Sequence, residues 1–567
     1  MTPTAGHRIV QQLELHGVER AYLVPGESFL EVLDGLHDSP IAPVVCRHEG
    51  GAGFMALAEA RLSGRPGIAM VTRGPGAANA MIAVHTAFQD ATALVLFIGL
   101  VPLADRERDA FQEFDPKGWF GSTAKRVFTL EDPARAAETV RQAMRIAASG
   151  RPGPVVVGLP EDVLRMPSAP PALRAAPPAE PLPDPESMAA VCRLLAGAER
   201  PLLVVGGDGW HGSTGRRLAE WAERARLPIA ACWRAHDAVP NDAACWAGWL
   251  GYGRSDTVAA GLAEADLLCF VGAPRGDVDS DGFTLGMDAP TVLVVPDPEA
   301  LGHAGRLDAQ ITACPRSFVA ALPEPSLARG GRGREWMDAL AAGQRAFCRP
   351  VADGGEGVDL GLAFEVLRDR LPTDAVLAYG AGNATLWGQR YLPHTAPNSL
   401  VGPRNGAMGL GVPAAIAASL VFPGRRTVAV CGDGDFLMNA QELAVARASG
   451  ARPLILVVDN GVYGTIVQHQ RREHPGRPSG TSLQNPDFAA WMHSFGGFGE
   501  RVTCTQELPA ALDRALAWDG PALLHLLTDP RTMGPQGFPA GAGPDGTAPE
   551  GGGTTAERDG STETEAA

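Results

Sequence analysis

The sequence predicts an α/β protein built from three doubly wound parallel-sheet domains. Its 567 residues suffice for about three domains of ordinary size. Short apolar runs rich in β-branched residues recur in three groups along the chain, with helix-forming segments between them. Two segments rich in proline or glycine separate these groups, because such segments do not form the interior of a sheet.

The strands are predicted from apolar runs of strand length. They lie at 68–72, 93–99 and 154–159, at 202–205, 267–271 and 292–295, and at 426–431 and 454–458. Between the last two, residues 439–449 have helix-forming composition closed by Gly450. This order predicts a right-handed βαβ unit, in which both strands end at the same edge of the sheet.

Proline content sets the predicted domain boundaries, and polar composition sets the predicted end of the ordered chain. We predict an amino-terminal domain at 1–166, a proline-rich linker at 167–185, a central domain at 186–322, a second linker at 323–344, a carboxyl-terminal domain at 345–532 and a disordered tail at 533–567.

Charge and cysteine usage limit the partners and the compartment. A net charge of -16 and a pI near 5.3 argue against a nucleic-acid surface and against an anionic membrane surface. The nine cysteines are scattered without a CxxC pair, which favours reduced thiols in a reducing compartment. No amino-terminal signal and no apolar run of about 18 residues is recognisable. We therefore expect a cytoplasmic protein.

Polar residues follow the two strands of the predicted βαβ unit. Gly432, Asp433 and Gly434 come directly after the first strand, and Asn460 follows the second. The glycines allow the backbone to approach a phosphate closely, and Mg²⁺ prefers oxygen ligands such as carboxylate and amide groups. The pattern predicts a diphosphate-and-magnesium site, and its alternative is a simple strand-to-helix turn.

A GDG turn followed after one βα unit by an Asn-containing turn resembles the signature of thiamine diphosphate-dependent enzymes. Residues 47–52 (RHEGGA) and 72–79 (TRGPGAAN) resemble the catalytic glutamate segment and the glycine-rich turn of this family. Residues 405–413 (NGAMGLGVP) are similar to the loop that grips the pyrimidine of the cofactor. Over roughly residues 5–530 the chain resembles the group of acetolactate synthase, pyruvate oxidase and benzoylformate decarboxylase.

The resemblance implies a set of site residues. Glu49 is the catalytic candidate that hydrogen-bonds the cofactor's ring nitrogen; its alternative is a solvated glutamate at a helix start. The implied cofactor-binding residues are Gly26, Gly74, Asn79, Gly406, Met408, Gly432, Asp433, Gly434, Asn460 and Tyr463. The implied metal ligands are Asp433, Asn460 and the backbone carbonyl of Val462.

Two positions near the metal turn depart from the family pattern. Asp459 stands where many relatives have a second asparagine, and Asp435 where some have a small hydroxyl residue or alanine. A carboxylate at 435 is expected to turn away from a diphosphate.

The substrate side is read from a few positions that align with synthase-like relatives. Gln112 and Lys125 match positions on the substrate side, with a solvated surface helix as the alternative. His469 replaces the tryptophan of the acetolactate synthase specificity segment, so it is either a proton-shuttling catalytic residue or a surface histidine.

The resemblance implies an enzyme that uses thiamine diphosphate and Mg²⁺, decarboxylates a 2-oxo acid and transfers the acyl unit to a second carbonyl compound. The alternatives are a non-oxidative decarboxylase of the benzoylformate decarboxylase type and a flavin-dependent oxidoreductase. FAD is left open because residues 207–212 match GxGxxG after a strand, and some relatives hold a flavin in this domain. The family also implies a homodimer or homotetramer.

Overall fold

The computed structural model describes residues 2–175, 177–324 and 331–535. It contains three six-stranded sheets in which every pair of neighbouring strands is parallel. The predicted fold class, α/β with three parallel-sheet domains, is therefore confirmed.

The amino-terminal sheet has the strand order β2-β1-β3-β4-β6-β5. Its strands are β1 (Arg20–Leu23), β2 (Ala42–Val45), β3 (Gly67–Val71), β4 (Leu94–Leu100), β5 (Arg126–Thr129) and β6 (Pro154–Pro160). Its helices are α1 (Ala5–Leu15), α2 (Leu30–His37), α3 (Glu49–Ser63), α4 (Gly74–Gln89), α5 (Pro116–Phe120), α6 (Ala136–Ala148) and α7 (Glu161–Arg165).

The central sheet has the order β12-β11-β10-β7-β8-β9. Its strands are β7 (Pro201–Val205), β8 (Ile229–Ala231), β9 (Trp246–Trp249), β10 (Leu267–Val271), β11 (Thr291–Val295) and β12 (Ala309–Thr312). Its helices are α8 (Pro185–Gly197), α9 (Thr214–Ala225), α10 (Asp256–Glu264) and α11 (Pro315–Ala321), and α12 (Gly331–Phe347) follows.

The carboxyl-terminal sheet has the order β14-β13-β15-β16-β18-β17. Its strands are β13 (Val376–Tyr379), β14 (Leu400–Val401), β15 (Thr427–Gly432), β16 (Leu454–Asp459), β17 (Phe498–Val502) and β18 (Ala522–Leu527). Its helices are α13 (Leu360–Arg370), α14 (Ala384–Tyr391), α15 (Gly411–Val421), α16 (Asp433–Phe436), α17 (Leu443–Ser449), α18 (Gly464–Glu473), α19 (Phe488–Ser494) and α20 (Leu508–Ala517).

Each predicted strand is present within one residue of its predicted ends. The reason is visible in strands such as β4 and β6, whose residues are all buried because helices cover both faces of a parallel sheet. The helix predicted at 439–449 begins later, at Leu443. One turn of helix, α16, and a short 3₁₀ segment at Ala440–Glu442 occupy the preceding residues.

The segments between the domains behave differently from each other. The first predicted linker has neither helix nor strand in its described part before α8 begins at Pro185. The second, at 323–344, differs from the expectation because most of it belongs to α12. Trp336 and Leu340, four residues apart on one face of α12, pack against the central core. Of the predicted tail, 536–567 lie outside the described residues.

The amino- and carboxyl-terminal domains share one apolar core. Helix α3 packs against α15, and both are buried on all sides, with nearly every residue of α3 inaccessible to solvent. Burial of this kind explains why their sequences consist mainly of alanine, glycine and aliphatic residues. The helix that begins with Glu49 is thus anchored against the domain that carries Asp433.

None of the helices in the described residues is long and apolar enough to cross a membrane.

Candidate cofactor and metal site

A cavity of about 240 Å³ opens where β15 and β16 end. The two strands are neighbours, with Gly432 paired to Val458, so the turns that follow them meet at one sheet edge. Of the residues predicted for cofactor and metal binding, Gly406, Met408, Gly432, Asp433, Gly434, Asn460, Val462 and Tyr463 all line this cavity. Parallel pairing therefore brings together residues that are up to 57 positions apart in sequence.

Asp433 is a buried carboxylate without a basic partner among the described residues. Its oxygens accept hydrogen bonds from the backbone N–H of Gly434 at 2.9 Å and of Gly461 at 3.0 Å. Burial raises the pKa of Asp433 to about 6, and the neighbouring charge of Asp459 acts in the same direction. A carboxylate of this kind beside the amide oxygen of Asn460 and the backbone of Val462 fits a hard divalent cation.

Two side chains that sequence reasoning missed, Asn485 and His525, support Asp433 directly or through Asp459. Asn485 donates from Nδ2 to Asp433 at 2.7 Å and to Asp459 at 2.8 Å. Nε2 of His525 lies 2.8 Å from the other oxygen of Asp459. Burial would raise the pKa of Asp459, but the hydrogen bonds from His525 and Asn485 outweigh it and lower that pKa. Asn485 and His525 lie in a loop and in β18, and no local pattern marks them.

The loop that carries Met408 is held at both of its ends. Gly406 and Gly409 have φ values of 75° and 86°, which glycine adopts without strain. Nδ2 of Asn439 donates to the carbonyl of Gly409 at 2.8 Å, and the backbone N–H of Asn405 donates to Asp90 at 2.8 Å. These hydrogen bonds therefore fix the backbone of the loop that places Met408 in the cavity wall.

The ring of Tyr463 packs against the turn at Gly434. A Cβ atom at Gly434 would lie 2.5 Å from the tyrosine ring, so only glycine allows this contact. The GDG turn and the turn after β16 are consequently packed directly against each other.

Glu49 is the first residue of α3 and is only 9% exposed. Its Oε2 atom accepts a hydrogen bond from Nδ2 of Asn79, in α4, at 2.8 Å. A Cβ atom at Gly76 would lie 3.3 Å from Oε1 of Glu49, so the carboxylate lies against the glycine-rich start of α4. Glu49 and Asn79, predicted from separate motifs, form one unit in the structure.

Three further predicted residues lie in the same domain. Gly26 packs so tightly against Thr72 that a Cβ atom would lie 2.5 Å from its side chain. Gly74 faces the backbone carbonyl of Gln112, which would lie 2.9 Å from a Cβ atom there. Gln112 has a φ of 64°, in a loop where Glu107 and Asp109 also have positive φ, so its backbone is strained.

Two predicted residues lie apart from these groups. His469 is on α18 with a side chain 53% exposed, contacts Arg472 at 2.8 Å and does not line the cavity. Lys125 differs from the substrate-side expectation. Its Nζ donates to the carbonyls of Ile146, Ser149 and Arg151 at 2.5–2.8 Å, and burial lowers its pKa to about 8. These three carbonyls lie in the last turn of α6 or just after it, so the ammonium group of Lys125 binds the carboxyl end of this helix.

Glu442 connects the two domains at the start of α3. It is fully buried, and both of its oxygens accept from the backbone N–H of Arg47 at 3.2 Å. A Cβ atom at Gly51 would lie 2.6 Å from this carboxylate, so the first turn of α3 is shaped around it. Burial raises the pKa of Glu442 to about 7, and the charge of Glu49 acts in the same direction.

The raised pKa of Glu442 predicts a specific pH dependence of stability. Below its ordinary value of 4.5 the group is protonated in both states, so its stabilising contribution is fully present. As the pH rises towards 7 the unfolded chain ionises first, and the contribution is lost. We expect the melting temperature of the wild type to fall relative to Glu442→Gln between these pH values and the difference to level off above them. A difference in melting temperature between the two proteins that stays constant across this pH range, measured by calorimetry, would contradict the assignment.

Three parallel-sheet domains, with a cavity that holds Asp433 and Asn460 at the carboxyl ends of buried strands, are typical of a cofactor-dependent α/β enzyme. Comparison with protein-family models identifies the family. The thiamine pyrophosphate enzyme N-terminal TPP binding domain matches residues 3–119, the central domain of these enzymes matches 188–322, and their C-terminal TPP binding domain matches 380–526. The chain belongs to the thiamine diphosphate-dependent enzyme family and is an acetolactate synthase-like member of it.

Its similarity to curated relatives extends over nearly the whole chain. It is 30% identical to the acetolactate synthase isozyme 2 large subunit of Escherichia coli (strain K12), covering 92% of this chain and 95% of that protein. It is 29% identical to the probable acetolactate synthase large subunit of Methanocaldococcus jannaschii, over 94% and 93%. It is 31% identical to acetolactate synthase 1, chloroplastic, of Zea mays, over 92% and 84%.

Proposed function

We propose that this enzyme uses thiamine diphosphate and Mg²⁺ to decarboxylate a 2-oxo acid and to transfer the acyl unit to a second carbonyl compound. The bound cofactor supplies the carbon nucleophile and the electron sink for this chemistry. The observation that carries the proposal is the buried carboxylate of Asp433, which has no basic partner among the described residues and shares its cavity with Asn460, Val462 and Met408. The similarity to acetolactate synthases supports this reaction class.

Each group of residues has a separate task in this proposal. Asp433, Asn460 and the carbonyl of Val462 hold the cation, and Gly432 and Gly434 leave room for the diphosphate. Met408 would offer the cofactor a flexible apolar contact in the wall of the cavity. Glu49, oriented by Asn79, holds the proton shared with the ring nitrogen of the pyrimidine. Gln112 and His469 stay predictions for the substrate side.

The substrate class is tested by supplying purified protein, cofactor and Mg²⁺ with a panel of 2-oxo acids, alone and with a second carbonyl compound. Release of carbon dioxide and formation of the condensed product are followed separately. The proposal expects a condensed product to accumulate. Carbon dioxide with only an aldehyde product would instead favour the non-oxidative decarboxylase, and no turnover of any 2-oxo acid would contradict both.

The site also requires a second copy of the chain in this proposal. In the described residues, the lining of the cavity that contains Asp433 includes no residue of the amino-terminal domain, where Glu49 lies. Exposed apolar side chains lie on α4, directly after α16 and on α18, as expected of a covered surface: Ile82, Leu437, Met438 and Ile466. A partner's Glu49 region would complete each site.

We therefore expect an active homodimer or homotetramer in sedimentation experiments. Ile82→Asp, which places a charge on the exposed face of α4, is expected to weaken association and to lower activity in parallel, with activity recovering at high protein concentration. Leu194→Asp, at an exposed apolar position of α8 in the central domain, serves as the control for added charge. A fully active monomer would contradict the shared site.

The flavin alternative depends on a larger cavity, of about 710 Å³, between the domains. Its size suits a dinucleotide, but its charges do not suit a diphosphate. Its arginines already have protein partners, because Arg65 binds Glu19, Arg404 binds Asp208 and Arg316 binds Glu180, and Arg151 donates to two backbone carbonyls. The lining also carries the carboxylates Asp90, Glu180, Asp208, Asp277, Asp279 and Asp297.

We accordingly expect purified protein to show no flavin band in its visible absorption spectrum, and added FAD not to raise the melting temperature. Arg275 donates to the carbonyl of Ala304 at 2.8 Å and does not line this cavity. A flavin that copurifies in stoichiometric amount would reverse this expectation and support the oxidoreductase alternative.

The proposed compartment is the cytoplasm. All nine cysteines are free thiols in the structure. Such usage is typical of a reducing environment.

A further inference from the structure

The carboxylate of Asp435 connects three loops of the cofactor cavity. Its Oδ1 atom accepts hydrogen bonds from the backbone N–H of Ala381 at 3.0 Å and of Gly409 at 2.8 Å. Ala381 belongs to the turn after β13, and Gly409 directly follows Met408. Asp435 itself belongs to the turn after β15 that contains Asp433. One buried side chain thus connects the turn after β15, the loop that carries Met408 and the turn after β13, which is called the β13 turn below.

The β13 turn is shaped around this carboxylate. A Cβ atom at Gly380 would lie 1.7 Å from Oδ2 of Asp435, so only glycine leaves room for the carboxylate. Asp435 is 3% exposed, although it is one of the residues that line the cofactor cavity. The smaller residues that some relatives carry at this position would leave two buried N–H groups without this acceptor.

Arg234 reaches the same turn from the central domain. Its Nη2 atom donates to the carbonyl of Gly380 at 3.1 Å and to Oγ1 of Thr385 at 2.8 Å. The guanidinium carbon lies 4.9 Å from the ring centres of Trp233 and Tyr379. Arg234 is 2% exposed, so its side chain is a fixed part of the interface between the domains.

The charge of Arg234 has no ion-pair partner at close range in the described part of the chain. Burial lowers the pKa of Arg234 to about 10, while the charges of Tyr379 and Asp435 act in the opposite direction. Arg234 and Asp435 contact Gly380 from two sides. Arg234 donates to its carbonyl, and the carboxylate of Asp435 lies where a Cβ atom at this position would stand.

We propose that Asp435 and Arg234 are positioning residues that hold the β13 turn from both sides and thereby set the spacing between Met408 and Asp433. This inference rests on the proposed function, because the spacing matters only if the cavity binds thiamine diphosphate. It assigns the central domain a role in cofactor affinity, although Arg234 does not line the cavity.

The test measures the dissociation constant of thiamine diphosphate by calorimetry at saturating Mg²⁺. Asp435→Ala is expected to raise this Kd by about tenfold or more, which corresponds to about 1.4 kcal/mol. Asp435→Asn keeps an oxygen acceptor for Ala381 and Gly409, so its Kd is expected within about threefold of the wild type. Arg234→Ala is expected to raise the Kd in the same direction. The double variant is expected to raise it by less than the product of the two single effects, because both act on one turn.

Asp237→Ala is the matched control. Asp237 is also a central-domain side chain that contacts the carboxyl-terminal domain, and it accepts from the backbone N–H of Ser399 at 3.0 Å and of Leu400 at 3.1 Å. These residues are at β14, outside the cavity lining. Asp237→Ala is expected to lower the melting temperature without changing the Kd, which separates positioning from general loss of stability.

A folded Asp435→Ala protein with the wild-type Kd would overturn the inference and leave the proposed function intact. If Asp435→Ala does not fold, Asp435→Ser is compared with Asp435→Asn, and equal Kd values for these two would overturn it as well. A wild-type protein that binds no thiamine diphosphate with Mg²⁺ would overturn the proposed function and this inference together.

Discussion

Exchange of Glu49 for glutamine is expected to lower turnover by about 10²- to 10⁴-fold, the range typical of a lost general acid–base group. The substitution preserves the shape of the side chain and an oxygen that accepts from Asn79, but it removes the exchangeable carboxyl proton. Cofactor binding is expected to change by less than about tenfold, because the diphosphate and metal contacts lie in another domain.

The experiment for Glu49 compares turnover with the cofactor Kd, the first from steady-state kinetics and the second from calorimetry. Glu59→Gln is the matched control, because Glu59 is also buried and lies ten residues further along α3. Its carboxylate binds Arg20 at 2.9 Å and the hydroxyl of Tyr22 at 2.7 Å. We expect Glu59→Gln to lower the melting temperature and to keep turnover within about tenfold of the wild type. Full activity in Glu49→Gln would show that the proton relay is wrongly assigned.

Replacement of Asp433 by alanine is expected to abolish the part of cofactor binding that depends on Mg²⁺. Asp433 is the only predicted metal ligand with a negative charge, and the described residues offer no basic side chain that could bind the diphosphate in its place within the cavity lining. Removal of a second-sphere partner alone typically costs about 10- to 100-fold in metal affinity, so loss of the charged ligand is expected to exceed about 100-fold.

Binding of the cofactor to Asp433→Ala is measured by calorimetry with Mg²⁺ and with a chelator. The wild type is expected to lose affinity in the chelator, whereas the variant is expected to bind equally weakly in both conditions. Asp359→Ala serves as the control, since it removes a carboxylate that caps α13 at Leu362 and does not line the cavity. The control is expected to lose about 1 kcal/mol of stability. Its cofactor binding is expected to depend on Mg²⁺ as in the wild type. Magnesium-dependent binding retained by Asp433→Ala would refute the metal site.

Local pattern was enough to predict the framework of the site. The apolar runs before Asp433 and before Asn460 indicated two buried strands, and β15 and β16 are neighbours in the sheet. Glycine at 432 and 434 indicated a turn with close backbone approach, and Tyr463 does pack against Gly434. Such predictions succeed because strand burial and turn geometry are properties of a few consecutive residues.

Local patterns do not predict residues whose contacts are with distant parts of the sequence. Asn485 joins Asp433 to Asp459, and Glu442 supports the start of α3, yet neither stands in a pattern that marks it. Lys125 aligned with the substrate side, but its ammonium group binds carbonyls at the end of α6. These contacts depend on which segments meet after folding, and an isolated segment carries no information about its distant partner.

The sequence by itself determined the parallel α/β class, the order of the three domains and the turns that carry Asp433 and Glu49. It could do so because strands buried on both faces must be continuously apolar and tight turns must contain glycine. Only the tertiary structure decided that Asp435 and Arg234 meet at Gly380, and that Glu49 and Asp433 of one chain do not line the same cavity. The physical reason is that the crossover connections and the packing of α3 against α15 set these distances, and both depend on the whole chain.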